Sequence, residues 1–163
     1  MKKKIIAILV VLISVIGIAF ISYLRYSTDV AIPYLSDLSK IEDDVLILIN
    51  RKRMSMDLPV LLRDGALDLI AIEWSKSLAE NNTVSHGNFE ERVSQIGYAN
   101  YLCGEIIAKR GGWTTGLASD LVDMWLASPE HYEVMMTSSE GYMGVGISDS
   151  IYGFFAVVDF RFV

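Results

Sequence analysis

The chain opens on its least patterned stretch. After Lys2, Lys3 and Lys4 come twenty residues, Ile5 to Leu24, without a charge and with only Ser14, Gly17, Ser22 and Tyr23 as weakly polar members. At about 1.5 Å per residue such a run covers the roughly 30 Å of bilayer hydrocarbon as one helix. No face of it is polar, which argues against a buried core helix. It exceeds the apolar region of a cleaved secretory signal, about 7 to 15 residues, and leaves through Ser22-Tyr23-Leu24-Arg25-Tyr26 with no small-x-small cleavage site. Residues 1–28 therefore read as a short tail and an anchor helix over about 5–24. Three lysines in front against Arg25 directly behind, with Asp29 close by, keep the tail in the cytoplasm and put everything after it outside.

Behind the anchor the pattern turns amphipathic. A polar stretch with Ser27, Thr28, Asp29 and Pro33 reads as a linker, 29–39, before a folded domain over 40–163. Ser39 and Glu42 have capping-box spacing, and Ile41, Val45, Leu48 and Ile49 recur at helical intervals, which predicts a helix from about Lys40 to Arg53, ended before Leu58-Pro59. Asp64 opens a second with Leu67, Ile70, Ala71, Trp74 and Leu78 on one face, stopped at Asn81-Asn82. Asn88 and Glu91 suggest another box, with Phe89, Val93 and Ile96 facing inward until Gly97. Tyr101 to Lys109 is apolar and suits a strand; Leu117, Leu121, Val122 and Trp125 mark a fourth helix up to Pro129. Tyr142–Ser148 and Tyr152–Phe162 read as strands joined through Asp149-Ser150-Ile151, with Phe155, Val157, Asp159 and Arg161 alternating against Ala156, Val158, Phe160 and Phe162. Helices first and a sheet assembled late predict an α+β layered domain.

Charge and cysteine content narrow the function. From Asp29 onward the chain has ten basic and twenty acidic residues, a net charge of −10, which excludes nucleic acid as a partner and disfavours docking on anionic lipid. One cysteine, Cys103, excludes an internal disulfide, so the fold must hold by packing alone or with help from a metal. Cys103 with a histidine base would need a third, orienting residue, and none is identifiable. The sequence also lacks a Gly-x-Ser-x-Gly elbow and a glycine-rich phosphate loop.

Several short pieces occur in a telling order: Leu46-Ile47-Leu48-Ile49-Asn50-Arg51, Leu58-Pro59-Val60-Leu61, Ala71-Ile72-Glu73-Trp74-Ser75, Ser85-His86, Glu91-Arg92 with Gly97-Tyr98, Gly104-Glu105-Ile106, Met124-Trp125-Leu126-Ala127-Ser128-Pro129-Glu130-His131, and Gly144-Val145-Gly146. Together, over about residues 40 to 163, they resemble the CAP superfamily in its SCP-like extracellular form. The resemblance implies an α-β-α sandwich with a central antiparallel sheet and a cleft lined by His86 and Glu105. The second glutamate of the animal and plant branch would fall on Ser128, and its second histidine, on a late strand, has no counterpart. His131 matches instead the histidine of the microbial Trp-x-x-Ser-Pro-x-His motif. The cleft candidates are thus His86, Glu105, His131, Trp125 and Ser128.

Two chemistries follow for these residues. His86 and His131, the chain's only histidines, could hold zinc with Glu105 nearby, leaving an open position for water. Alternatively His86 fixes its loop and His131 caps the turn after Pro129, since their spacing follows no local ligand motif such as H-E-x-x-H. At the level of function these become a domain that binds a lipid, envelope glycan or protein in the cleft, a zinc-assisted hydrolase of envelope peptide or glycan, or an adhesion domain without a cleft ligand.

Overall fold

A computed structural model describes residues 16–23, 38–112 and 115–163, and the chain divides into two units, Met1–Asp37 and Leu38–Val163. Most of the predicted anchor lies outside the described residues. Its described portion, 16–23, is helical, with Ile16, Ile18, Phe20, Ile21 and Tyr23 exposed. Among the described residues no helix is long and apolar enough to cross a membrane.

In the second unit the order is α1 (38–54), β1 (Leu61–Arg63), α2 (Gly65–Asn81), α3 (Phe89–Gln95), β2 (Leu102–Arg110), α4 (Leu117–Leu126), α5 (Pro129–Met135), β3 (Gly141–Ser150) and β4 (Gly153–Phe162). The four strands form one sheet in the order β1-β3-β4-β2. It is mixed, which corrects the expectation of an antiparallel sheet: β2 and β3 each run antiparallel to β4, but β1 pairs parallel with β3, Leu61 opposite Gly141. A three-residue strand is too short to show alternation, and β1 was not expected from the sequence. Neither was α5, for which Pro129 is the opening residue rather than a terminator.

Strand alternation divides the sheet's two faces. One row joins Gly144, Asp159 and Glu105 across β3, β4 and β2, and the next row on the same face joins Gly146, Val157 and Ile107. α2 lies on this face, where Ala71, Leu78, Ile107, Phe155 and Val157 form a buried cluster joined by Trp74. The glycines let it come close. A Cβ on Gly144 would stand 2.2 Å from backbone of Leu67 and Asp68, and one on Gly146 2.2 Å from backbone of Ala71 and Ile72. The opposite face, with Met143, Val145, Ile147, Ala156, Val158, Phe160 and Ile106, is equally buried, and Gly104 there abuts Val134 of α5.

Polar side chains complete the frame where backbone pairing stops. β1 covers β3 only as far as Met143, and beyond it the amides of Val145 and Ile147 donate to Asp68 (2.9 Å) and Glu42 (3.0 Å). Glu42 therefore faces the sheet edge instead of closing the expected capping box, and Ser39 lies inside α1. Arg63 lies against Glu42, Asp43 and Asp68, balancing the acids. Arg53, fully buried, donates to the carbonyls of Pro59 (2.8 Å), Met135 (2.8 Å), Thr137 (2.9 Å) and Ser139 (3.0 Å).

Candidate functional site

α2 ends in the left-handed residue Asn82, and the chain then turns back through Ser85-His86-Gly87. Trp74 fixes that loop from below: its ring N–H donates to Ser85 O (3.0 Å), and a Cβ on Gly87 would strike the indole at 2.6 Å. Gly87 also has a φ of +50°, a conformation that L side chains rarely adopt. Arg92, on α3, fastens the loop from the side by donating to His86 O (3.1 Å), with its guanidinium stacked 4.2 Å from the Trp74 ring.

Glu105 rises from β2 between these elements. Its side chain is 1% exposed, against 58% for His86. The two are joined at 2.8 Å, His86 Nδ1 to Glu105 Oε1, while Glu105 Oε2 accepts from Arg92 Nη2. Both carboxylate oxygens are thus engaged. Burial pushes the Glu105 carboxyl above its usual range, while the Arg92 and His86 charges and hydrogen bonds pull the other way. An ionised Glu105 only accepts, so the His86 proton sits on Nδ1 and Nε2 becomes its ligand-facing nitrogen.

The other candidates are placed differently. His131, on α5, is half-buried; burial first and then the His86 charge lower its pKa, with Glu130 opposing. Ser128 is the half-buried N-cap residue of α5 and makes no side-chain cap bond. Trp125 is 0% exposed on α4, which makes it a core side chain and corrects its reading as cleft wall. Among the described residues no group of three or more His, Cys, Asp and Glu could hold a metal ion. With Glu105 turned to Arg92 as well as His86, both carboxylate oxygens are taken, and these donors do not fit an open zinc site.

Two members were not singled out from the sequence. Arg92 appeared only as part of a Glu-Arg pair, and its role as clamp depends on Trp74 and Glu105 coming together in space. Asp159 was visible as the acid in an alternating, otherwise apolar strand, and it stands opposite Glu105 with 0% exposure.

The cysteine-rich secretory protein family, CAP, matches residues 46–160, more than half of the chain. The protein belongs to this family. Among solved structures, an outer surface protein of Borrelia burgdorferi is similar at 24% identity and a TM-score of 0.65, over 75% of this chain and 92% of that one. An extracellular protein containing an SCP domain from Bacillus anthracis matches at 26% identity and 0.62, over 77% of this chain and 41% of its own. A cysteine-rich secretory protein of Staphylococcus aureus matches at 14% and 0.60, over 77% and 40%. This chain therefore spans less than half the length of the last two. No curated protein matches it.

Proposed function

We propose that this is a membrane-anchored, extracytoplasmic CAP-domain protein that binds a lipid, an envelope glycan or a protein partner around His86 and Glu105, without turnover. The observation that carries the reading is the double engagement of Glu105 by His86 and Arg92. A carboxylate held by a guanidinium on one oxygen and an imidazole on the other is a fixed counter-ion, not a general base free to take a proton from water. His86, more than half exposed, then offers Nε2 to a ligand as a hydrogen-bonding group oriented from behind. The anchor is the apolar run 5–24, with Lys2 to Lys4 holding the tail inside. The Borrelia protein is an outer surface protein and the Bacillus protein is extracellular, which supports an outward-facing domain here.

The test is amide NMR of the full chain in detergent micelles, titrated separately with soluble glycan fragments of an envelope and with phospholipid. Shifts centred on residues 85–92 and 103–107, lost in His86→Ala, support binding there. Metal analysis of the same samples addresses the hydrolase: stoichiometric zinc that disappears in both His86→Ala and His131→Ala overturns the binding reading.

A further inference from the structure

Beneath His86 two carboxyl groups share one guanidinium. Asp159 and Glu105 are direct cross-strand partners on the same face, where side chains stand about 4.5–5.5 Å apart at Cβ and two like charges repel. Arg92 faces this pair with Nη1 bound to His86 O and Nη2 to Glu105, while its Nε is buried and makes no hydrogen bond. Both oxygens of Asp159 are buried and accept no hydrogen bond.

The other elements packed around Asp159 bring it no hydrogen-bonded counter-ion. β3 offers Gly144, which has no side chain and lies under the backbone of α2 at Leu67 and Asp68. The Asp68 carboxylate is turned to Val145 N and Arg63. Along the strands the next pair on this face is Cys103 and Arg161. The Cys103 thiol donates to Tyr98 O, and the Arg161 guanidinium is stacked against Tyr98, Tyr101 and Tyr142 while pairing with Asp64. His86 is turned to Glu105 Oε1. An ionised Asp159 would be a buried charge that accepts no hydrogen bond and faces only a guanidinium already paired with Glu105, a state that proteins avoid by keeping the group neutral.

We propose that Asp159 is a carboxylic acid in the folded protein and, keeping its proton, donates a hydrogen bond to Glu105, acting as the positioning residue that holds the Glu105 carboxylate toward His86 and Arg92. The proton satisfies one Asp159 oxygen as a donor, removes the like-charge repulsion and leaves Arg92 and Glu105 as a balanced pair. Burial first, and then the Glu105 charge, push the Asp159 carboxyl up to about 8, in keeping with this state. The proposal stands apart from ligand binding, because it describes the floor of the site whether or not anything docks above it.

Infrared spectra and thermal unfolding of the full chain in detergent micelles test it. Near neutral pH the wild type should show a protonated-carboxyl carbonyl band that is absent from Asp159→Asn. An asparagine amide can donate to Glu105 in the acid's place, so Asp159→Asn should fold, whereas Asp159→Ala should melt lower at every pH. The Tm of the wild type should fall relative to that of Asp159→Asn as the pH rises from about 5 to about 9. The proposal is overturned by the absence of such a band at neutral pH, or by a band that survives in Asp159→Asn and vanishes in Glu105→Gln. It is overturned equally if Asp159→Asn loses as much stability as Asp159→Ala, or if the gap between Asp159→Asn and the wild type is the same at both pH values.

Discussion

Asn50 and Leu61 are joined by two hydrogen bonds: the Asn50 amide donates to Leu61 O at 2.9 Å, and its oxygen accepts from Leu61 N at 2.8 Å. The side chain thus stands in for a missing strand beside β1. Asn50→Ala leaves a donor and an acceptor of Leu61 unpaired, at about 1–3 kcal/mol for each group that water does not reach. Asn50→Asp keeps the acceptor but loses the donor, so it should destabilise less than Ala. Chemical denaturation of the three proteins checks the order.

Arg53 gathers four carbonyls from two separate segments, Pro59 and the stretch 135–139. Arg53→Lys offers one compact ammonium where a planar fork spans them, and it should lose on the order of 3 kcal/mol. The denaturation midpoint measures this, and retention of wild-type stability by Lys would show that charge, not fork geometry, holds the segments.

Two glycines provide a matched contrast. Gly146→Ala drives a Cβ to 2.2 Å of the α2 backbone, which cannot move without lifting the helix, and overpacking of that kind costs about 1–3 kcal/mol or more. Gly65, at the first position of α2, has nothing within 4 Å of its added Cβ, and Gly65→Ala should stabilise by up to about 1 kcal/mol. Thermal melts of both variants should shift in opposite directions.

The pH dependence of stability follows from the signs of the shifts. Glu42, Glu105 and Asp159 are all raised, burial being the first cause for each, so their stabilising protonation is fully present below the unfolded carboxylate range of about 4. That contribution is lost as pH rises, through about 8 for Asp159, at up to about 1.4 kcal/mol per pH unit for one proton. Two groups act in reverse. Burial raises Asp64, but hydrogen bonds from Tyr98, Ala66 and Leu67 outweigh it and leave a lowered carboxyl, whose contribution disappears as pH falls below about 4. His131, lowered by burial, loses stability as pH falls below about 6.5. The stability maximum should therefore lie on the acidic side of neutrality, between about 4 and 7, and a midpoint series across pH locates it.

The anchor has its own test. Each lysine placed within Val10 to Ile16 should cost about 2.5–3.5 kcal/mol at the centre of a spanning helix, and two together should release the protein from membranes into the soluble fraction. Protease added to intact cells should cut the domain, and a domain cut only after lysis reverses the orientation.

What the sequence made legible was the local part of the fold. Leu67, Ile70, Ala71 and Leu78 recur at helical spacing and are buried on α2, and Phe155 and Val157 alternate as β4 requires. His86 and Glu105 were reached through short motifs. The roles of Arg53, Asn50, Glu42 and Arg92 were not legible, and Glu42 was read as a helix cap, because each acts on groups distant in sequence: Arg53 on Ser139, Glu42 on Ile147. A side chain's partners across the fold leave no period to read. Trp125 shows the same limit from the other side, since its helical position serves equally for a core or a cleft wall.

Trp74 has a practical consequence. Its ring stacks on the guanidinium that grips Glu105, and its N–H holds the loop bearing His86. An indole seated between the cation and the loop will change its emission when either shifts. With Trp113 and Trp125 replaced by phenylalanine, the protein becomes a single-fluorophore sensor of its own site, and unlabelled envelope extracts can be screened against it by fluorescence before any ligand is known.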